Sequence, residues 1–216
     1  MSNSEVFYKE GIDPVLRFGD VLKGYVAVTP KIKQPNQPAS IPTLDWEINV
    51  SYPEFLAVLS PCCSIEDNVI CLAPLVQVQK NFLKNPYYKE DLTRINRKIE
   101  PQNIFPPEKW KEKSSLEQQE LLSKPLSYAL LNYFIYDQHP LLPSYTVNIR
   151  GETLETRYYM VDFRMIYNLK CPKIVKPDNA PIETKYLQLS IQARAELREK
   201  IAYYFGRPAE EDRSYD

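Results

Sequence analysis

Apolar and polar positions change rhythm along the chain, and the rhythm predicts the elements. Val21, Leu22, Tyr25, Val26 and Val28 form a partly alternating apolar stretch after the turn signal Phe18-Gly19-Asp20, which predicts a strand over Asp20 to Val28. Thr29 to Leu44 holds Pro30, Pro35, Pro38 and Pro42, a density that predicts a long ordered loop. Trp46, Ile48 and Val50 alternate with Glu47, Asn49 and Ser51, as on a half-buried strand. Phe55 to Leu59 and Val69 to Val76 flank the polar turn Cys62 to Asn68 and read as a buried hairpin, with Pro74 marking an end or bulge of the second strand.

Downstream the period lengthens. Ser114 and Glu117 stand three apart, as a capping box requires, and predict a helix to about Leu122. Ser123-Lys124-Pro125 reads as a second helix start, and Leu126, Leu130, Tyr133 and Phe134 fall at i, i+4, i+7 and i+8, a stripe ending before Pro140. Tyr145 to Ile149 and Arg157 to Ile166 read as strands, and Cys171 to Pro181 as a proline-rich loop. Ser190 is placed to cap a last helix whose apolar stripe is Leu197, Ile201, Tyr204 and Phe205, with Arg194, Arg198 and Lys200 on other sides and Gly206-Arg207-Pro208 as the stop.

Composition adds limits. Hydrophobic residues are 44% and charged residues 25% of 216, the balance of a globular domain, and one domain spanning 1–216 is expected. Net charge is -1, so no global field draws the chain to nucleic acid or an anionic membrane. Five Gly against 19 Pro argue against glycine-rich nucleotide loops. A polar start without an apolar signal segment, and no long apolar run, predict a cytoplasmic protein with reduced thiols and no membrane partner. Cys62, Cys63, Cys71 and Cys171 lack structural-zinc spacing, so neither a metal nor another cofactor is expected; Cys71 reads as a small core residue.

Gly19-Asp20-Val21-Leu22 resembles the start of the first strand in the MazF/PemK family, small SH3-like barrels that include ribonuclease toxins of toxin–antitoxin systems. Phe55 to Pro61, a polar turn and Val69 to Pro74 are similar to that family's R-P-x-V-V-L-S element and the strand after it. Leu59-Ser60-Pro61-Cys62-Cys63-Ser64-Ile65 also resembles a turn of larger PemK-like proteins with added helices. The motif residues are therefore Gly19, Asp20, Ser60 and Cys63. The resemblance implies an α+β protein: an SH3-like antiparallel barrel with strands mainly in 17–77 and 145–168, a helical insertion over 79–138 and a C-terminal helix over 190–206.

The chain departs from the family where cleavage needs it most. Glu54 stands at the family's arginine and Val76 at its threonine. Attack on a phosphodiester needs donors on the developing anion; a carboxylate repels it and valine offers none. The resemblance therefore implies a non-catalytic relative that binds RNA or a partner protein through the barrel groove, with an antitoxin-like or adjacent-gene protein as the partner and a homodimer as the family's habit. The alternatives are an active, diverged endoribonuclease, with Thr93, Arg94 or Arg97 approaching the groove, and a structural subunit of a larger complex.

Three constellations offer chemistry. Gln79 to Lys113 carries nine bases against five acids with interleaved aromatics, which suits single-stranded nucleic acid; Arg94, Arg97, Lys98, Tyr87 and Tyr88 are the candidate contacts, and Arg194 and Arg198 extend such a patch. Cys63 with the lone His139 and with Asp137 as orienter forms a thiol–imidazole candidate, against the plainer reading of a tight turn and a loop histidine. Asp13, Asp20, Glu54, Glu66 and Asp67 offer carboxylates for a divalent cation, against the plainer reading of solvated acids.

Overall fold

The structure is a computed structural model that describes residues 6–24, 26–33, 45–60, 69–149, 151–170 and 185–206. In chain order the strands are β1 (Val21–Leu22), β2 (Ala27–Lys33), β3 (Asp45–Ser51), β4 (Leu56–Val58), β5 (Val69–Gln77), β6 (Tyr133–Tyr136), β7 (Tyr145–Ile149), β8 (Glu152–Thr156), β9 (Tyr159–Asp162), β10 (Tyr167–Lys170) and β11 (Lys185–Leu187). The α-helices are α1 (Pro86–Glu90), α2 (Pro101–Ile104), α3 (Pro107–Lys111), α4 (Ser115–Leu122) and α5 (Ile191–Gly206). The protein is α+β with antiparallel sheets and a C-terminal helix. The chain divides into two compact units, a sheet unit of Glu10–Leu75 and Met165–Gln188 and a helical unit of Met1–Lys9, Val76–Arg164 and Leu189–Asp216.

In the sheet unit β11, β1, β4, β5 and β10 are neighbours in that order, every pair antiparallel. Leu16, Leu22, Leu56, Val58, Ile70 and Leu72 form its core. The expected hairpin is there as β4 and β5, with Ala57 opposite Ala73. Gly19 takes a φ of 86°, which favours glycine, and donates its N–H to Val58 O at 2.7 Å. Among the described residues these strands do not close into the barrel expected from the resemblance. Two proline readings need correction. β2 runs through Pro30 to Lys33, because it pairs with β3 alone and an edge strand tolerates a missing N–H. β5 continues past Pro74 to Gln77. Leu75 N–H bonds Phe55 O at 3.0 Å, so the proline nitrogen one residue earlier points away from β4 and removes no bond to it.

In the helical unit α4 forms as expected, with Ser114 accepting from Glu117 N–H and the Glu117 side chain returning to Ser114 N–H. Ser190 Oγ accepts from Ala193 N–H at 3.2 Å at the start of α5. The helix expected after Pro125 is a correction. Tyr133 to Tyr136 is strand β6, paired with β9 so that Phe134 faces Val161. All four residues are buried, Phe134 and Ile135 at 0% exposure, while Leu126 stands outside. Four consecutive β-forming side chains with a partner strand outweigh a 3.6-residue stripe that matched by spacing alone. β9 also ends earlier than expected, since Phe163–Met165 turns as a 3-10 helix.

Asn96, at the end of the 3-10 turn Leu92–Asn96, locks that turn to β6. Its amide donates to Ile135 O at 2.8 Å and accepts from Ile135 N–H at 2.7 Å, all buried. Asn96→Ala is expected to cost about 2 kcal/mol in urea unfolding, because both Ile135 groups lose their partner. An unchanged midpoint would show that water replaces the amide.

Candidate ligand pocket

The pocket is built from the chain between β5 and α1. Gln79 precedes the 3-10 turn Phe82–Lys84, and Asn85 caps α1, accepting from Tyr87 N–H at 3.1 Å while its amide donates to Asn103 O at 3.2 Å. Pro86 at the first helical position needs no N–H there. These local devices hold Gln79, Asn81 and Phe82 beside β6. The cavity measures about 370 Å³ and is lined by Gln79, Asn81, Phe82, Asn85, Tyr88, Ile104, Pro106, Ala129, Leu130 and Tyr133. No acid and no base is among those side chains.

The polar edge of the pocket is set by a relay. Arg164 forks onto Asp162, with Nε 2.9 Å from Oδ1 and NH2 2.6 Å from Oδ2. The same NH2 donates to Tyr133 Oη at 2.7 Å, and Gln79 Nε2 donates to that oxygen at 3.0 Å. Tyr133 Oη therefore receives two donors, and its own hydrogen points elsewhere. The Tyr133 ring meets Phe82 edge-on at 5.2 Å. Tyr88 is 3% exposed, its hydroxyl has no hydrogen-bond partner among the described residues, and burial raises its pKa well above the usual phenol range. It stays a neutral phenol.

The residues singled out from the sequence fall in several places. Tyr88 lines the pocket, whereas Tyr87 lies under the Arg94 guanidinium at 4.6 Å. Arg94 also binds Glu90 at 2.7 Å and Tyr87 O at 2.8 Å. Arg97 Nε binds Glu196 at 2.9 Å and Lys98 Nζ binds Glu199 at 2.8 Å, so both are held by acids of α5. Lys98 keeps the Glu199 carboxyl below its ordinary range. Arg194 donates to Leu189 O. A phosphate reaching Arg94, Arg97 or Lys98 competes with a carboxylate already in place.

His139 Nδ1 accepts from Leu141 N–H at 3.2 Å, its ring meets Tyr8 edge-on at 4.9 Å, and burial lowers its pKa. Burial raises the Asp137 pKa, and its carboxylate accepts from Gln138 N–H at 2.7 Å. Cys63 lies outside the described residues, as do Cys62, Cys171, Glu66 and Asp67. Cys71 is half-buried and its thiol bonds Asn168 Oδ1 across β5 and β10. Among the described residues no three His, Cys, Asp or Glu side chains gather as a metal site would need.

The motif residues of the sheet unit hold structure. Asp20 is fully buried, with Oδ2 2.7 Å from Lys185 Nζ and 2.7 Å from Arg17 N. Ser60 Oγ accepts from Cys71 N–H at 2.7 Å and continues the β4–β5 ladder beyond its last backbone pair. Glu54 is 3.5 Å from Lys23 Nζ, and Lys23 in turn lies over the Tyr186 ring at 4.1 Å and the Phe55 ring at 4.7 Å. Asp13 Oδ1 lies 3.4 Å from Lys185 Nζ.

Gln79 and Tyr133 were not legible as site residues, since the bond between them spans 54 positions. Lys200, placed with the outward residues of the last helix, is a further correction. It is fully buried, one turn from Leu197 on the same face, and donates to Ile95 O. Desolvation lowers its pKa to about 7. Among the described residues no helix is long and apolar enough to cross a membrane. Compared with protein-family models, curated proteins and solved structures, the chain gives no match.

Proposed function

We propose that this protein acts by binding rather than by bond breaking, and that the part of the ligand held in the pocket of the helical unit is a small uncharged group. The observation that carries this reading is the pocket's wall: phenyl, aliphatic, amide and phenol groups around about 370 Å³, with no charged side chain. An ion entering would lose hydration without a counter-charge, whereas a neutral molecule loses little and gains the apolar surface.

The sheet unit supports a second reading, a diverged MazF/PemK-type scaffold without toxin chemistry. Its supports are the Gly19-Asp20-Val21-Leu22 turn and strand and the acidic Glu54, anchored on Lys23, where the family carries arginine. Both readings imply that the protein does not cut.

The test is ligand-observed NMR with paired neutral and charged fragments of similar size, alongside single-stranded RNA incubated with and without Mg2+. Neutral hydrogen-bonding fragments are expected to bind, Ala129→Phe is expected to fill the pocket and abolish that binding, and the RNA is expected to stay intact. Binding of charged fragments alone, or RNA cleavage by the purified chain, would overturn the proposal.

A further inference from the structure

The geometry points to a more specific ligand, and this inference rests on the pocket reading above: the site takes a planar heterocycle through a lactam edge, a ring carbonyl beside a ring N–H, of the kind carried by uracil, hypoxanthine and guanine. Tyr133 and Gln79 carry the argument. Tyr133 Oη already accepts from Arg164 and from Gln79, so toward the pocket it can only donate. Gln79 spends one N–H of its Nε2 on that oxygen, which leaves the other N–H as a donor and Oε1 as an acceptor on the same amide plane. Donor and acceptor groups of two neighbouring lining residues, Tyr133 and Gln79, therefore lie beside each other at the pocket.

Their complement is an acceptor beside a donor. A carbonyl facing Tyr133 O–H and an N–H facing Gln79 Oε1 satisfy both groups at once, and a lactam holds those two in one rigid plane. The Arg164 cation polarises the phenol and makes its O–H a stronger donor. Phe82 and Leu130 supply apolar surface for the ring faces. A volume of about 370 Å³ is at the lower end of small-molecule sites, roughly 300–1,000 Å³, and suits one or two fused rings.

The lactam has two natural sources, a free nucleoside and an unstacked base of single-stranded RNA, and both present the same edge. Lys80 and Lys84, next in the chain to the pocket residues Gln79 and Asn85, are exposed bases.

Calorimetric or NMR titration of the full chain with uridine, inosine, 3-methyluridine and a short oligouridylate separates these cases. Uridine and inosine are expected to bind. 3-Methyluridine keeps the ring and both carbonyls but lacks the N–H, and is expected to bind about tenfold more weakly. Gln79→Leu, at an exposed position, is expected to erase the difference between uridine and 3-methyluridine while leaving the fold intact. Tighter binding of the oligouridylate than of uridine assigns the ligand to a strand; equal binding assigns it to the free nucleoside, and either supports the lactam edge. Equal affinity for uridine and 3-methyluridine in the unmodified protein overturns the inference. If neutral fragments still bind and Ala129→Phe still abolishes that binding, the pocket reading survives; if no neutral molecule binds, both fall.

Discussion

Lys185→Met is expected to lower stability by about 3–5 kcal/mol, read as a drop in the urea midpoint of the transition that reports the sheet unit. Lys185 is 4% exposed and its ammonium touches Asp20 Oδ2 at 2.7 Å, Val15 O at 2.7 Å and Asp13 O at 3.1 Å. Methionine keeps the volume and removes the charge, so the fully buried Asp20 carboxylate loses the Lys185 ammonium. Desolvation of that carboxylate, not the lost attraction by itself, sets the size of the effect. Adding Asp20→Asn to Lys185→Met removes the stranded charge, and the double variant is expected to recover a large part of the loss. A single variant that unfolds like the parent would show that water reaches this pair, and would end the account of Asp20 as a structural residue.

Lys200 makes the opposite pH prediction from an ordinary surface lysine. Burial holds its amine near pKa 7 in the folded chain, against about 10.4 when unfolded. Between those values the unfolded chain binds one proton more than the folded chain, so stability from this group rises with pH. The gain is complete above the unfolded pKa and is lost progressively as pH falls to 7, below which the penalty is constant. The Tyr128 ring lies 5.1 Å from the Lys200 ammonium, and the nearby α5 acids in sequence, Glu196 and Glu199, already pair with Arg97 and Lys98. Tyr128 itself titrates only near 12, raised chiefly by burial, so it stays neutral across the window. Relative to Lys200→Met, the parent is expected to gain about 2 kcal/mol between pH 7 and pH 9, the slope rising from about half of 1.4 kcal/mol per unit at pH 7 to nearly all of it above pH 8. The methionine also leaves Ile95 O without its donor, a cost independent of pH in this range. Parallel pH profiles for the two proteins would show that the amine is solvated.

These two lysines mark how far the chain's pattern could be read. Lys200 belongs to a helix whose start was legible from Ser190 and whose apolar spacing included Leu197. Its own burial was not, because a lysine at the edge of an apolar stripe reads as solvent-facing unless a carbonyl from another segment is known to wait for it. Arg97 and Lys98 were legible as bases and not as ion pairs, since their acids lie about a hundred positions away. The pocket was half legible: the segment from Gln79 onward stood out by composition, and Tyr88 was named from it. The partner wall at Ala129, Leu130 and Tyr133 was hidden under a helical spacing that the structure replaces with a turn and a strand.

What the amino-acid sequence determined alone is what a few neighbouring residues can decide. The Ser114–Glu117 box closes on itself within one turn, the Ser190 cap acts three residues on, and two dense apolar runs around a polar turn make β4 and β5. Tertiary structure decided the rest: that Tyr133 to Tyr136 pairs as a strand, that Asp20 and Lys185 meet in the interior, that Lys200 is desolvated, and that Gln79 and Tyr133 face one cavity. The physical reason is the reach of the interactions. Caps and turns satisfy backbone groups within a few residues, whereas desolvation, ion pairing and strand pairing depend on which distant segment arrives, and hydrophobic spacing says that a face is buried without saying against what.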